Sequence, residues 1–403
     1  MNERRESGAR APDAAPLRGL LNALFAWAAS GHDARENGLG SLVRECNDRE
    51  VDHVVAAGLG PLLRYAVGEE LETCSMDRRG ALKAAEITAR FTYGAQRESA
   101  VQVVDVCARL GVPVTLLKGV SIADQCYPAP HLRPMSDVDV LVPARDALRV
   151  ESALVDAGYV RKPDWTDGDG EPHGAPLRDP RRDVWIEPHT ALFHRDAPVN
   201  AGALFCPASV TSRSAASTFE ERPVLRLSAE LQLAYIACYW LRDITRNGMH
   251  PTFVVPLFDT LFLLESSART LDWEGLLGSL DNELAAASLY LLLARAKAYG
   301  FDETLAPVLP RLAARQRIFG AAELWVMDRM LDACLVEGKR FLGAFGAKHP
   351  MIESSALDTL QMPMPFVRKI AMLPWNLVFP PRVPERYRVR YHAARMARFF
   401  RRR

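Results

Sequence analysis

The six residues Asp137–Val142, reading DVDVLV, restrict this chain more than any other segment. Strict alternation of polar and apolar side chains is the period of a β-strand, which sends successive side chains to opposite faces. Val138, Val140 and Val142 then belong to a core, and Asp137 and Asp139 stand together on the other face. Two neighbouring carboxylates repel unless a cation neutralises them. Pro143 stops the strand, and three prolines between Tyr127 and Pro134 make the approach to it a loop. The acids therefore fall at a strand end open to solvent and to a divalent ion. An oxygen-only pair suits Mg2+ or Mn2+ rather than zinc. A bare pair of this kind also marks a solvated strand end, so its surroundings must decide.

Upstream, Val112–Leu117 is a short β-branched run after Gly111, which reads as a buried strand. Lys118-Gly119-Val120-Ser121 follows and opens a helix running to about Cys126, whose first amides can hold phosphate oxygens. Lys118 reads equally as a surface lysine. Downstream, Asp183–His189 (DVWIEPH) returns as a strand, where Glu187 can bring a third carboxylate. Three carboxylates around two Mg2+ ions can activate an acceptor hydroxyl and neutralise a triphosphate. Ala144–Ala157 between them reads as an amphipathic helix stopped by Gly158, and Tyr159–Arg161 as a further strand. His189 and His194 do not have the HExxH spacing of a zinc site. His189 either orients Glu187 or a phosphate, or is a partly buried structural histidine.

Helical spacing fills both flanks of this region. Leu20, Leu21, Leu24, Phe25 and Ala28 recur at three- and four-residue steps, and Val51, Val54 and Val55 follow a cap-like Asn47–Asp48. Beyond Ser228, Ala229–Arg242 and Pro251–Glu265 carry wide apolar stripes. The chain is thus expected to be α+β: a disordered lead over 1–16, a helical domain over 17–110, a small mixed α/β domain over 111–212, a second helical domain over 213–347, and a proline-rich segment with a basic tail over 348–403.

With 50 basic and 49 acidic side chains the net charge is +1, so no global field draws the chain to nucleic acid. The balance is uneven, however. Nine arginines against one acid, Glu385, put +8 between Arg382 and Arg403, which leaves −7 on the rest. With Tyr387, Tyr391, Met396, Phe399 and Phe400 interleaved, this tail fits an anionic membrane surface, RNA, the acidic body of the same chain, or a solvated end with docked aromatics. Seven dispersed cysteines without a CxxC pair point to reduced thiols and a cytoplasmic protein, peripheral to the membrane if the tail binds lipid. The polar N-terminus does not read as a secretory signal, and no apolar stretch is long enough to span a bilayer. Asp164, Asp167, Asp169 and Glu171 lack the spacing of a calcium loop and read as a solvated turn.

The run LLKGVSIADQCYPAPHLRPMSDVDVLV, Leu116–Val142, resembles the uncharacterised nucleotidyltransferase family of the DNA polymerase β-like superfamily, whose pattern runs LLKG, Y, R, DxDxLV. The resemblance covers about Leu20 to Ala298. It implies a nucleotidyltransferase fold with Lys118, Gly119 and Ser121 in the place of the glycine–serine phosphate motif. Asp137 and Asp139 stand for the metal-binding pair, and Arg133 for an arginine that contacts phosphate. Ile186-Glu187-Pro188-His189 looks like the hydrophobic–Asp–x–His segment, with Glu187 as third acid, and Phe258-Asp259 like an aspartate of the C-terminal helices. Two departures stand out: Glu replaces Asp at the third acid, and Asp137 comes 18 positions after Gly119, a longer step than is usual in the superfamily though normal for this branch. The implied reaction is Mg2+-dependent transfer of an NMP from an NTP to a hydroxyl acceptor, with release of pyrophosphate. A nucleotide-binding or scaffold protein with weak or no transfer is the alternative. A phosphotransferase on the same fold ranks lowest, because neither a Gly-rich kinase loop nor GxxxxGK[ST] occurs.

Overall fold

The computed structural model describes residues 15–31, 38–163, 165, 173–247, 251–267, 269–337 and 356–378. The Arg-rich tail, most of the expected N-terminal lead and the acids Asp164, Asp167, Asp169 and Glu171 lie outside the described residues.

Five helices open the chain: α1 (Ala15–Ala29), α2 (Leu39–Glu45), α3 (Asp48–Ala56), α4 (Gly60–Val67) and the long α5 (Met76–Leu110). The cap-like Asn47 closes a full capping box, its side chain accepting from the Glu50 amide while the Glu50 carboxylate accepts from the Asn47 amide. Gly111 ends α5 at φ 67°, a left-handed turn that glycine adopts without a Cβ penalty.

The α/β region then runs β1 (Thr115–Leu116), α6 (Lys118–Cys126), β2 (Asp137–Leu141), α7 (Ala147–Asp156), β3 (Val160–Arg161), β4 (Leu177–Asp179), β5 (Val184–His189), α8 (Pro207–Ser212), β6 (Ser214–Phe219) and β7 (Arg222–Leu227). The seven strands form one mixed sheet in the order β3-β4-β5-β2-β1-β7-β6. β2 lies between antiparallel β1 and parallel β5. The hairpin β6–β7 joins the sheet through parallel pairing of β7 with β1. Those two strands and β4 carry little alternation in the sequence, and their pairing comes from neighbours that only the folded chain provides.

The alternation of β2 sorts the two faces as expected. Val138, Val140 and Val142 enter a cluster with Ile186 of β5, Leu177 of β4, Val103, Val104 and Cys107 of α5, and Val150 and Leu154 of α7. The other face carries the acids. Helices α9 (Ala229–Asn247), α10 (Val255–Ser267), α11 (Trp273–Ser279), α12 (Glu283–Lys297), α13 (Asp302–Leu305), α14 (Val308–Ala313), α15 (Ala321–Glu337) and α16 (Phe366–Val378) follow. The two helical flanks share one core: Phe25 of α1 stacks on Phe258 of α10 at 4.7 Å between ring centroids, and Trp27 packs edge-on against Phe262. The protein is an α+β fold whose sheet is covered by α5 and α7 on one face.

Candidate active site

Parallel pairing of β2 with β5 sets Asp139 opposite Glu187 and Leu141 opposite His189. Paired residues share a sheet face, so Asp137, Asp139, Glu187 and His189 stand together on the face away from the valines. One ligand atom each from Asp139, Glu187 and His189 lie within 4.8 Å of one another. The His189 Nε2 is 2.6 Å from Asp139 Oδ1 and 3.8 Å from Glu187 Oε2.

Lys118 reaches the same carboxylate, its Nζ 2.8 Å from Asp139 Oδ1. It begins α6 at φ 39°, in the left-handed region that side-chain-bearing residues rarely occupy. Across from it, α9 presents Tyr239 and Arg242. The Lys118 Nζ lies 4.2 Å from the Tyr239 ring centroid and the Arg242 Cζ 4.3 Å from the same centroid, both within cation–π range.

The electrostatics follow from burial and neighbours. Burial alone would raise the Asp139 carboxyl, but the Lys118 ammonium and the His189 hydrogen bond hold it well below the usual carboxylate range. Burial likewise opposes the Lys118 charge, and the Asp139 carboxylate overcomes that and raises the amine well above its ordinary value. Asp137 is left with the unfavourable side of the arrangement: burial, then the Asp139 and Glu187 carboxylates, push it up to about 7. Burial lowers the His189 imidazole. A neutral ring that donates Nε2–H to Asp139 carries its lone pair on Nδ1, and that atom is buried with no hydrogen-bond partner among the described residues.

These observations fit a divalent cation. Three carboxylates crowd one face, burial and the other two drive one of them toward protonation, and His189 turns its Nε2 toward two of them. Carboxylate oxygens from Asp137, Asp139 and Glu187 are the hard donors that Mg2+ and Mn2+ accept, and imidazole adds a nitrogen that Mn2+ tolerates better than Mg2+.

The remaining residues of the sequence pattern fall into a shell around this centre. Arg133 lies against Gly119 and forms a bidentate pair with Asp259 of α10, 2.8 Å from Nε to Oδ1 and 2.7 Å from Nη2 to Oδ2. The Tyr127 hydroxyl donates to the same Oδ1 at 2.8 Å. Residues from the two ends of the sequence pattern therefore meet, and the guanidinium spends two of its donor groups on Asp259 and contacts the Pro134 carbonyl with the third. Gly119 is explained by packing: a Cβ there would sit 2.7 Å from Met135 Sδ and 3.0 Å from Arg133 Nη1. Ser121 is buried, its Oγ 3.3 Å from Gln125 Oε1 and 3.5 Å from Arg226 Nη1. Arg226 also pairs with Asp124, so α6 is tied to β7. Tyr235, Tyr239 and Arg242 were not singled out from the sequence. Their i, i+4, i+7 spacing on α9 hides them within an apolar stripe, and the polar tips at that spacing are the one signal they leave.

A family model described as uncharacterised nucleotidyltransferase matches residues 48–300, which contain every residue of this centre. No curated protein and no solved structure matches the chain.

Proposed function

This chain belongs to the uncharacterised nucleotidyltransferase family, and from that premise we propose that it transfers an NMP from an NTP to a hydroxyl acceptor with release of pyrophosphate. The observation that carries the proposal is the β2–β5 register, which sets Glu187 beside Asp139 and on the face of Asp137. Asp137, Asp139 and Glu187 would hold Mg2+ or Mn2+, and His189 would stand beside them with its Nε2 toward Asp139 and Glu187. When bound, such ions neutralise the triphosphate and lower the pKa of a coordinated hydroxyl.

The chain's own groups divide the remaining work. The first amides of α6, with Lys118 and Arg242, offer positive charge to the β- and γ-phosphates, and Arg133 packs against Gly119. Lys118 keeps Asp139 ionised. His189 fixes the Asp139 carboxylate through its Nε2–H. Glu187, whose side chain is 26% exposed, takes the proton of the acceptor hydroxyl. The acceptor oxygen then bonds to the α-phosphorus, the α–β bridging P–O bond breaks, and pyrophosphate leaves with the electron pair. A buried, water-poor setting strengthens each of these charge interactions.

One observation favours the second reading, a protein that binds Mg2+-NTP and turns it over poorly. The Lys118 ammonium already neutralises Asp139, and a glutamate stands at the third position with one more methylene than aspartate. Incubating the full chain with each NTP and Mg2+ or Mn2+ in a cell lysate, with mass spectrometry for added NMP, separates the two. Transfer that is lost in Asp139→Asn supports the enzyme. Tight Mg2+-NTP binding with no adduct on any acceptor refutes it. Within the first reading the protein works in the cytoplasm, where its seven free cysteines stay reduced, and the Arg-rich tail is the segment proposed to meet an anionic membrane surface or RNA. No described helix is long and apolar enough to cross a membrane.

A further inference from the structure

A cavity of about 480 Å3 opens beyond the carboxylates on the same sheet face. Its floor can be placed from strand register alone. Leu225 of β7 pairs with Thr115 of β1, Thr115 with Leu141 of β2, and Leu141 with His189 of β5. Cross-strand partners share a face, so these four side chains form one transverse row. Three of them, Leu225, Thr115 and Leu141, line the cavity, and the fourth is the histidine that holds Asp139. The next row along β2 and β5 is Asp139 and Glu187. Adjacent rows on one face are two residues apart, roughly 6.6 Å at about 3.3 Å per residue. The cavity therefore begins one row from the carboxylates.

Its position relative to the phosphate end matters for an in-line displacement. β1 runs antiparallel to β2, from Thr115 opposite Leu141 to Leu116 opposite Val140, so Lys118 and Gly119 follow it toward the N-terminal end of β2, where the Lys118 ammonium meets Asp139. The cavity lies at the opposite end of β2, beyond Asp139. Attacking and leaving oxygens stand on opposite sides of the α-phosphorus. A pyrophosphate leaving toward Lys118 thus requires the acceptor to arrive from the C-terminal end of β2, where the cavity is.

The lining identifies the chemistry of the occupant. Phe205, Val210, Leu192 and Leu225 supply an apolar wall, and the one charged lining residue, Arg145, has its side chain 84% exposed at the rim. The polar lining is the hydroxyls of Thr115, Thr190, Thr211 and Ser214, enough to meet one alcohol group, with no buried charge or side-chain amide to replace the water around a polyol or a phosphate chain. The volume falls in the roughly 300–1,000 Å3 range of small-molecule sites. Resting on the nucleotidyltransferase reading above, we infer that this cavity is the acceptor site and that it takes an alcohol with an apolar body, a phenol or an alkyl alcohol, in preference to a sugar, a polyol or a nucleic acid.

The test uses the full chain, 4-methylphenol as probe and glycerol and glucose as comparators. Saturation-transfer NMR reports probe binding, pyrophosphate release with each of the four NTPs and Mn2+ reports transfer, and equilibrium dialysis reports Mn2+-NTP binding. The expected result is probe binding, with at least tenfold more pyrophosphate released with 4-methylphenol than with either polyol at equal concentration. Thr211→Trp and Ala144→Trp fill the cavity from two different walls and are both exposed enough to fold. Each is expected to abolish probe binding and cut the stimulation at least tenfold while Mn2+-NTP binding stays unchanged. Equal stimulation by glycerol or glucose, or probe binding that survives both tryptophans, overturns the inference. Failure of the reading beneath it has a different signature: Mn2+-NTP does not bind, although the phenol still does, and the acceptor role falls with it.

Discussion

Asp259→Ala is the substitution whose cost the geometry sets most sharply. Its carboxylate is 2% exposed and receives two hydrogen bonds from Arg133, whose side chain is 10% exposed, and a third from Tyr127. Truncation leaves a guanidinium that burial does not neutralise, because arginine is too basic to lose its proton inside a protein. Removing one member of a buried pair costs about 3–5 kcal/mol, and the orphaned Tyr127 hydroxyl puts the expected loss toward the upper end. The assay is urea unfolding of wild type, Asp259→Ala, Asp259→Leu, Arg133→Met and the double variant Arg133→Met/Asp259→Leu, the last three closing the cycle with wild type. Because an apolar pair of similar volume often replaces a buried ion pair at little cost, the double variant is expected to recover most of the stability that either single change loses. A coupling of at least about 2 kcal/mol between the two sites is the expected outcome for contacting residues. The reasoning is refuted if Asp259→Ala costs under about 1 kcal/mol, an exposed-pair value, or if the double variant loses the sum of the singles.

Two further outcomes follow from the site. The Asp137 carboxyl, pushed up to about 7 in the folded chain against 3.8 for the free side chain, binds more protons folded than unfolded across that window. Stability without metal should therefore fall as pH rises from about 4 to 7. Mn2+ must displace the same proton, so its affinity by calorimetry should climb with pH up to about 7 and then level, and Asp137→Asn should flatten the climb; a pH-independent wild-type affinity would contradict the assignment. Gly119→Ala places a Cβ 2.7 Å from Met135 Sδ and 3.0 Å from a guanidinium that Asp259 holds still. A destabilisation of about 1–3 kcal/mol in thermal melts is expected, partly relieved by adding Met135→Ala; a neutral Gly119→Ala would mean the glycine answers to something other than packing.

Particular elements show how much was legible beforehand. The β2 alternation foretold both the valine core and the acid face, since period-two patterning is a local property of the chain. The Asn47 cap, the Gly111 stop and the strand holding Glu187 were equally local. β4, β6 and β7 carry no such local signal, and Tyr239 and Arg242 carry little, since their chemistry is masked by helical spacing that serves the core as well. Arg133 was read as a phosphate contact from its place in a pattern. Its commitment to Asp259 depends on a partner 126 residues away, which no window of sequence contains.

By itself, then, the order of residues determined where the helices and the strands β1, β2, β3 and β5 form, which side of β2 is wet, and that three acids lie on two strands. Only the tertiary structure decided that β2 and β5 run parallel in a register setting Glu187 beside Asp139, that Lys118 bends back onto that carboxylate, and that an apolar cavity begins one row further on. The reason is physical: side-chain periodicity is written along the chain, whereas register, charge pairing and enclosed volume come from surfaces meeting across it, and many sequences with the same local pattern could meet differently.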